Sequence, residues 1–341
     1  MPLRCLLILF VSAFAAGCAR PGATIELSGP TMGTTYTVKV AHSPAGVDAA
    51  AVRATIEEVL AGIDRAMSTY RPDSEVSRFN ATASTDWFAV SADLASVVMD
   101  ALRVSEQSGG AFDITVAPLV SAWGFGPEGE IARMPSDAEL QELMERVGYR
   151  HLEARAHPAA LRKQIPTLTL DLNGIAPGFA VDRLGSRLAA LGLSNYLIDI
   201  GGEVQAHGTN AQGERWRVAV EEPNDAPPAA YAVVQLDDLA ITTSGEYRHY
   251  YVRDGQRYSH TIDPRTARPI RHALASVVVA GKSSTVIDAW STAFNVLGAE
   301  AGLALARQRA MPVMFIEWQG TTLRSTWTAP FAPLMVVKPK P

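Results

Sequence analysis

The chain has 341 residues, of which 48% are hydrophobic, and its formal net charge at pH 7 is −5. This length holds one large domain or two ordinary ones, with enough apolar residues for a well-filled core. Because the charge is mildly negative and no long run of like charge occurs, nucleic acid is a poor candidate partner.

The first residues have the pattern of a bacterial export signal. Arg4 precedes an apolar run over residues 5–16, which is too short to span a bilayer as a permanent helix. The small residues before Cys18 resemble the lipobox of bacterial lipoproteins, in which this cysteine becomes a lipidated N-terminus. The alternative is an ordinary secretory signal that is cut elsewhere, or a short anchor.

We therefore predict a lipoprotein signal peptide over residues 1–17, a lipidated Cys18 with a tether to residue 27, and one domain over residues 28–341. The lipid would hold the protein in the bacterial cell envelope, facing the periplasm from the inner or the outer membrane. Cys5 leaves with the signal, so the mature domain has no cysteine for a disulfide or for thiol chemistry.

The first half of the domain is predicted to contain one strand and three helices, from alternation, apolar stripes and capping residues. In chain order they are a strand over 34–41, a helix over 48–67, a loop over 68–80, a helix from Ser91 to Ser108, an irregular segment over 111–126 and a helix from the Ser136–Glu139 capping box to about Gly148.

The second half is predicted to be richer in strands. In chain order it holds a strand over 167–172, a glycine turn, a helix from about Pro177 to Leu191, a strand over 197–200, mainly strands over 204–280, a helix from Ser283 or Ser284 to Gly298, a shorter helix and a closing hairpin over 314–327. The helices are too unevenly spaced for a regular βαβ array. We therefore predict a single large α+β domain, with a mainly antiparallel or mixed sheet and flanking helices.

A polar island lies between two hydrophobic strands, over residues 242–272. Titratable side chains in such a place must be hydrated or paired, so the island is either a solvated hairpin or a reaction site. His260 could take a proton from a hydroxyl nucleophile, and Asp263 could orient or supplement it. The alternative is a surface turn built on Asp263 and Pro264. The other polar members of the island are Ser244, Glu246, Tyr247, Arg248, His249, Arg265 and Arg268.

Asp288 and Thr292 are four residues apart on the late helix and share one of its faces. Asp288 is also close to the helix N-terminus, which favours anions. A carboxylate and a hydroxyl are hard oxygen ligands that suit Mg²⁺, which in turn suits phosphates. The alternative is an ordinary polar stripe.

Other motifs are weak when taken singly. The turn DLNGIAPGFAVD, residues 171–182, joins a strand to a helix start and could approach a phosphate closely, or be only a tight connection. It matches neither a Walker loop nor a dinucleotide fingerprint. Met32, Tyr70 and Phe112 could enclose a flat heterocycle, although core packing is the alternative for each.

Taken in order across nearly the whole mature chain, these motifs resemble the ApbE family of FAD:protein FMN transferases. The resemblance implies an ApbE-like fold related to the T-fold. It also implies Mg²⁺-dependent transfer of the FMN moiety of FAD to a Thr or Ser hydroxyl of an acceptor protein, through a phosphoester bond and with release of AMP. The matching segments are PTMGTTY, SGGAFDITVAPLVSAWGFG, DLNGIAPGFAVD, LIDIGGEV, ITTSGEYRHYY, HTIDPRTARP and IDAWSTAFNVLG.

The resemblance also assigns residues. Asp288, Thr292 and the backbone carbonyl of Ala176 would hold Mg²⁺, and His260 would be the general base beside the nucleophile. The family often has Lys or Glu where this chain has Pro177, so a side-chain contact there would be lost and a backbone contact kept. The FAD pocket would be lined by Met32, Tyr70, Ala111, Phe112, Asp113, Asn173, Phe179, Ser244, Tyr247 and His260.

The implied acceptor is an exported or membrane-bound redox subunit with its Thr or Ser in a short Asp-containing motif. One rival interpretation is an FAD pyrophosphatase, in which water replaces the protein hydroxyl and FMN and AMP are released. A second rival is a non-catalytic flavin-binding lipoprotein, which would need neither a metal nor a base.

Overall fold

The computed structural model describes residues 24–129, 131, 133–224, 226–227, 229–245 and 250–339. The predicted signal peptide, Cys18 and Tyr247 lie outside the described residues. The helices of the described part are α1 (Ala49–Met67), α2 (Glu75–Ala81), α3 (Ala92–Gln107), α4 (Ala117–Ala122), α5 (Asp137–Met144), α6 (Ala176–Ala190) and α7 (Ser284–Gln308), with short 3₁₀ turns at Tyr149–His151 and Ala332–Leu334.

The strands of the described part fall into one large sheet and four small ones. In chain order they are β1 (Ile25–Thr31), β2 (Thr34–Val40), β3 (Phe88–Ala89), β4 (Leu152–Ala156), β5 (Ala159–Lys163), β6 (Tyr196–Ile200), β7 (Glu203–His207), β8 (Trp216–Glu221), β9 (Ala230–Leu236), β10 (Leu239–Gly245), β11 (Tyr250–Arg253), β12 (Gln256–Ser259), β13 (Ile262–Asp263), β14 (Arg268–Pro269), β15 (Leu274–Gly281), β16 (Val313–Gln319), β17 (Thr322–Trp327) and β18 (Met335–Val337).

The large sheet has eight strands in the order β1-β2-β6-β7-β10-β15-β16-β17. Every neighbouring pair in it is antiparallel. The turns at Met32–Gly33 and Gly201–Gly202, together with the end of β10 at Gly245, therefore lie at the same end of this sheet. The single α+β domain with antiparallel sheets, predicted from the sequence, is confirmed.

Both faces of the large sheet are covered. Val277 and Val279 of β15 belong to the main core, which α1, α3, α6 and α7 build on one face. Val278 and Ala280 belong to a second core on the opposite face, beneath the small sheet β18-β9-β8. A strand that is buried on both faces has a continuous run of apolar residues, and this explains the sequence LASVVVA of β15.

The helix caps predicted at Ser91, Ser136–Glu139 and Ser283 are present, and Asp48, the predicted start of the first helix, is a cap as well. Asp48, Ser91 and Ser283 accept a hydrogen bond from a backbone N–H in the first turn of α1, α3 and α7, respectively, and Ser136 with Glu139 forms the capping box of α5. The helix predicted to stop at Gly298 does break there, because Gly298 has a φ of 73°. Helical turns then resume and continue to Gln308.

Several local predictions were wrong. The loop predicted over 68–80 contains α2, and the segment predicted as irregular over 111–126 contains α4. Both helices are too short to give a periodic apolar stripe. Strands β3, β4 and β5 form a small sheet that the sequence did not predict. Strand β1 starts at Ile25, inside the predicted tether, so any tether ends before that residue.

The segment 167–172, predicted as a strand, joins no sheet among the residues that the structure describes. The Asn80 side chain binds this segment instead, accepting from the N–H of Leu170 and donating to its carbonyl. The N–H of Asp171 donates to the carbonyl of Ile114, at 2.7 Å. The segment is therefore held between α2 and the residues that follow α3. No helix in the described ranges is long and apolar enough to cross a membrane.

Candidate active site

One face of α7 links the motifs that the sequence singled out. Asp288, Thr292 and Asn295 follow one another along this face at helical spacing. Thr292 meets the glycine turn, since a β-carbon added at Gly174 would lie 3.0 Å from Oγ1 of Thr292. The same added atom would lie 3.2 Å from the ring of Phe112. The turn of 173–174, the Phe112 ring and the Thr292 hydroxyl are therefore immediate neighbours.

Asp288 is buried, with 5% of its surface exposed, and its Oδ2 accepts a 2.9 Å hydrogen bond from the N–H of Gly178. Burial raises the pKa of the Asp288 carboxyl to about 7, and the nearby negative charge of Asp182 adds to this rise. The hydrogen bond from Gly178 acts in the opposite direction. The protein thus holds a carboxyl whose ionised form lacks a compensating positive charge.

Glu203, on β7, carries a second carboxyl in this region. Its Oε1 accepts a 3.1 Å hydrogen bond from the hydroxyl of Thr242, a fully buried residue of β10. The pKa of Glu203 is raised well above its usual value, first by the loss of water contacts and then by the charge of Asp288. Burial and the negative charge of Asp288 therefore both disfavour the ionised form of Glu203.

These features fit a divalent cation. A bound cation would favour the ionised form of Asp288 and remove the cost of burying its charge. In the part of the chain that the structure describes, no three His, Cys, Asp or Glu side chains form a metal-binding group. Mg²⁺ commonly needs only one or two carboxylates, because substrate phosphates and water supply its other ligands. Asp288, Thr292 and the carbonyl of Ala176, the first residue of α6, suit this pattern.

Asn295 connects α7 to the polar island. Its Nδ2 lies 3.3 Å from Oγ of Ser244, at the end of β10, and 3.4 Å from Oγ1 of Thr261. His260 directly precedes Thr261 and is half-buried, with its ring edge-on to Phe125 at 6.3 Å between centroids. The structure thus brings Ser244 and the segment around His260 to the end of the same helix face.

Asp263 has a different environment. Its carboxylate accepts hydrogen bonds from the backbone N–H, Nε and Nη2 of Arg265, at 2.8 to 2.9 Å. This pair stabilises the turn between β13 and β14. The role of Asp263 in catalysis stays a prediction.

The predicted FAD residues 111–113 form a buried segment directly after α3. Ala111, Phe112 and Asp113 expose only 1%, 4% and 6% of their surface. Asp113 accepts hydrogen bonds from the N–H and hydroxyl of Thr115 and from the N–H of Tyr149, and burial raises the pKa of its carboxyl. Asp113 therefore holds the backbone of the segment in place, with Phe112 against the glycine turn.

The remaining predicted FAD residues are less buried than this segment. Met32 lies at the β1–β2 turn with a φ of 49° and is 39% exposed, and Tyr70, in the α1–α2 connection, is 66% exposed. Asn173 is exposed in the glycine turn, and Phe179 is half-buried against the main core. Exposed side chains of this kind suit contact with a ligand better than they suit core packing.

Sequence reasoning missed three polar residues of this region. Asn295 lies three positions beyond Thr292, so extending the polar face of the helix would have found it. Glu203 and Asp182 stand inside the motifs LIDIGGEV and DLNGIAPGFAVD, but only the fold brings them to α7.

Flavin transferases of known structure share this architecture. The flavin transferase ApbE from Vibrio cholerae has a TM-score of 0.85 and 40% sequence identity to this chain, and covers 92% of this chain and 100% of its own. The apo form of the flavinyl transferase ApbE from Pseudomonas stutzeri also has a TM-score of 0.85, at 39% identity, and covers 93% of this chain and 98% of its own. The α+β fold is thus that of a class of flavin transferases.

The chain belongs to the ApbE family, whose sequence model matches residues 32–315. A curated relative, the FAD:protein FMN transferase of Vibrio cholerae, is 42% identical over 301 residues, which are 88% of this chain and 90% of the relative. The enzyme of the same name from Escherichia coli K12 is 37% identical over 336 residues, 95% of this chain and 94% of the relative.

Proposed function

We propose that this protein is an FAD:protein FMN transferase that uses Mg²⁺. It transfers the FMN moiety of FAD to a Thr or Ser hydroxyl of an acceptor protein and releases AMP. The observation that carries the proposal is the face of α7, where the Asp288 carboxyl and the Thr292 hydroxyl lie beside the glycine turn and Phe112. The full-length similarity to enzymes of this name supports the same conclusion.

In this proposal Asp288, Thr292 and the carbonyl of Ala176 hold the cation. When bound, Mg²⁺ neutralises the pyrophosphate of FAD and stabilises the departing phosphate of AMP. Pro177 supplies no side-chain ligand, so the turn contributes through its backbone. The glycine at 174 lets that backbone lie within contact distance of Thr292 and Phe112.

A residue of the polar island would accept the proton of the attacking hydroxyl. The acceptor hydroxyl oxygen attacks the phosphorus on the FMN side of the pyrophosphate, and its proton passes to the imidazole of His260. A phosphoester bond forms, the bond to the bridging oxygen breaks, and that oxygen leaves with AMP. Ser244 and Asn295 line the same end of α7 and would help to orient the reacting groups.

The flavin would be held by the exposed and half-buried residues around this centre. Met32, Tyr70, Phe112 and Phe179 offer apolar and aromatic surface to the ring system. Asp113 keeps its backbone segment in position, and the Asn173 side chain would present polar groups to FAD. The assignment of Tyr247 to this pocket rests on its motif alone.

The cell-envelope location is part of the proposal. Lipidation of Cys18 would hold the domain at the periplasmic face of a membrane. The acceptor would then be an exported or membrane-bound redox protein with an accessible Thr or Ser.

The test is incubation of the purified protein with FAD, MgCl₂ and a candidate exported redox subunit. Transfer predicts AMP release that requires the acceptor, and a covalent FMN adduct on one Thr or Ser by mass spectrometry. Release of free FMN and AMP without an acceptor would instead identify a pyrophosphatase. Flavin binding without any AMP release, across acceptors that related transferases modify, would identify a flavin carrier.

A further inference from the structure

Asp182 of α6 is bound to the start of α7 by an unusually dense set of hydrogen bonds. Its Oδ2 accepts from the hydroxyl of Ser283 at 2.8 Å, from the N–H of Thr285 at 3.0 Å and from the hydroxyl of Thr285 at 2.7 Å. Its Oδ1 accepts from the N–H of Ser284 at 2.9 Å and from Nε2 of Gln205 at 3.1 Å. A single carboxylate thus joins α6, α7 and β7.

This contact supplies what the sequence of α7 lacks. The first turn of α7 contains no acidic residue, although a negative charge there would be favourable. Asp182 provides this charge from another helix and also satisfies two backbone N–H groups of the first turn. In addition it orients Ser283, whose Oγ caps α7 by accepting from the N–H of Val286.

A second contact lies one turn away on both helices. Gly178 precedes Asp182 by one turn of α6, and its N–H binds Asp288, one turn beyond Ser284 in α7. At this point the helices touch, since a β-carbon added at Gly178 would lie 2.4 Å from the carbonyl oxygen of Ser284. The two contacts together set the position of α7 along the axis of α6.

The relative position of α6 and α7 matters because the proposed metal ligands come from both helices. Ala176 begins α6, whereas Asp288 and Thr292 belong to α7. A metal site of this kind tolerates only small changes in ligand separation, because Mg²⁺ requires near-ideal octahedral geometry. Contacts that orient ligands without touching the metal commonly contribute 10- to 100-fold to its affinity.

We propose that Asp182 is a positioning residue of the Mg²⁺ site: it sets the register between α6 and α7, and with it the separation of Ala176 from Asp288 and Thr292. This inference rests on the proposed function. Asp182 itself touches neither the cation nor the flavin in this account.

The experiment is a calorimetric titration of the FAD-loaded protein with MgCl₂ in the absence of acceptor. Asp182→Asn replaces an acceptor oxygen by an amide and is expected to weaken Mg²⁺ binding by about tenfold or more. The control is Asp48→Asn, because Asp48 caps the remote helix α1 through a 2.9 Å bond to Ala51 and has no contact with α6 or α7 in the described contacts. The control is expected to bind Mg²⁺ as tightly as the unaltered protein, even if its stability falls as much as that of Asp182→Asn.

A second pair of variants covers the case in which Asp182→Asn does not fold. Thr285→Val removes the hydroxyl bound to Oδ2 and keeps the side-chain shape, whereas Thr285→Ser keeps the hydroxyl. Weaker Mg²⁺ binding in the valine variant, with recovery in the serine variant, supports the inference. Unchanged Mg²⁺ affinity in both Asp182→Asn and Thr285→Val overturns it.

The variant Asp288→Ala distinguishes a failure of the positioning role from a failure of the proposed metal site. If that variant loses Mg²⁺ while Asp182→Asn keeps it, the metal site stands and the positioning role is overturned. If Asp288→Ala binds Mg²⁺ as tightly as the unaltered protein, the metal site itself is wrong and the positioning role falls with it.

Discussion

The backbone N–H of Gly178 donates a 2.9 Å hydrogen bond to Oδ2 of Asp288, a residue 110 positions further along the chain. Only a residue without a side chain fits at 178, because an added β-carbon would also lie 2.7 Å from Cβ of Asp288. The bond directs one oxygen of a buried carboxyl towards the first turn of α6. The proposed metal site therefore depends on the close approach of two helices rather than on one local motif.

Asp288→Ala is expected to abolish Mg²⁺-dependent transfer and to leave the fold intact. The substitution removes the one carboxylate of the proposed ligand set, so neutralisation of the pyrophosphate is lost. The measurement is AMP release across a MgCl₂ titration, with circular dichroism as the check on folding. Asp93→Ala, in the first turn of α3, is the matched control. Full activity of Asp288→Ala at high MgCl₂ would exclude Asp288 from the metal site.

His260→Ala is expected to retain FAD binding and to lose transfer by about 10²- to 10⁴-fold, the usual contribution of a general base. The measurements are flavin fluorescence for binding and mass spectrometry of the acceptor for transfer. His207→Ala is the control, since His207 is a partly exposed histidine paired with Asp238. Turnover unchanged in His260→Ala would leave another group as the base.

The stability of the metal-free protein is expected to fall as the pH rises from about 4 to about 7. The ordinary pKa of an aspartate side chain, 3.8, stands for the unfolded chain, and burial raises the pKa of Asp288 to about 7 in the folded protein. Between these values the folded state keeps a proton that the unfolded state has lost, so the free energy of unfolding decreases with pH. Glu203, whose pKa is also raised, acts in the same direction.

The size of this pH effect follows from about 1.4 kcal/mol for each pKa unit, which gives a few kcal/mol in total. Urea unfolding in EDTA at pH 4 to 8 measures it. Asp288→Asn should flatten the slope, and saturating MgCl₂ should do the same in the unaltered protein. An equally steep slope in Asp288→Asn would show that another group is responsible.

Gly174→Ala is expected to weaken FAD and Mg²⁺ binding together, because its β-carbon would push Thr292 and the Phe112 ring apart from the turn. Overpacking of this kind costs about 1–3 kcal/mol of stability. Gly62→Ala in α1 is the control, since the nearest atom to its added β-carbon is 3.9 Å away, on the Arg65 side chain. Titrations of both variants with FAD and MgCl₂ test this. Normal affinities in Gly174→Ala would place the ligand elsewhere.

The sequence predicted those parts of the fold that local chemistry determines. Asp48, Ser91, Ser136 and Ser283 mark helix starts because each side chain caps backbone groups within its own first turn. The ApbE family and the α+β class, which rest on motifs spread along the whole chain, are confirmed. The individual roles of the site residues stay predictions.

The missed features depend on partners distant in sequence. The segment 167–172 has the composition of a strand, yet the Asn80 side chain satisfies the backbone of Leu170, and no strand in the described part of the chain pairs with the segment. Asp182 has no local signal of its role, because its donors in α7 and the cap of that helix lie about a hundred positions later in the chain. Helix α2 was missed since only Val76 and Phe79 of its seven residues are buried.

The order of strands in the large sheet has a consequence for biosynthesis. Strand β2 pairs with β6 and β10 pairs with β15, and the helix that carries Asp288 and Asn295 follows β15. A nascent polypeptide that ends before residue 295 therefore lacks one wall of the pocket, however much of the sheet has already formed. In the proposed function, flavin capture would therefore come only after the synthesis of α7.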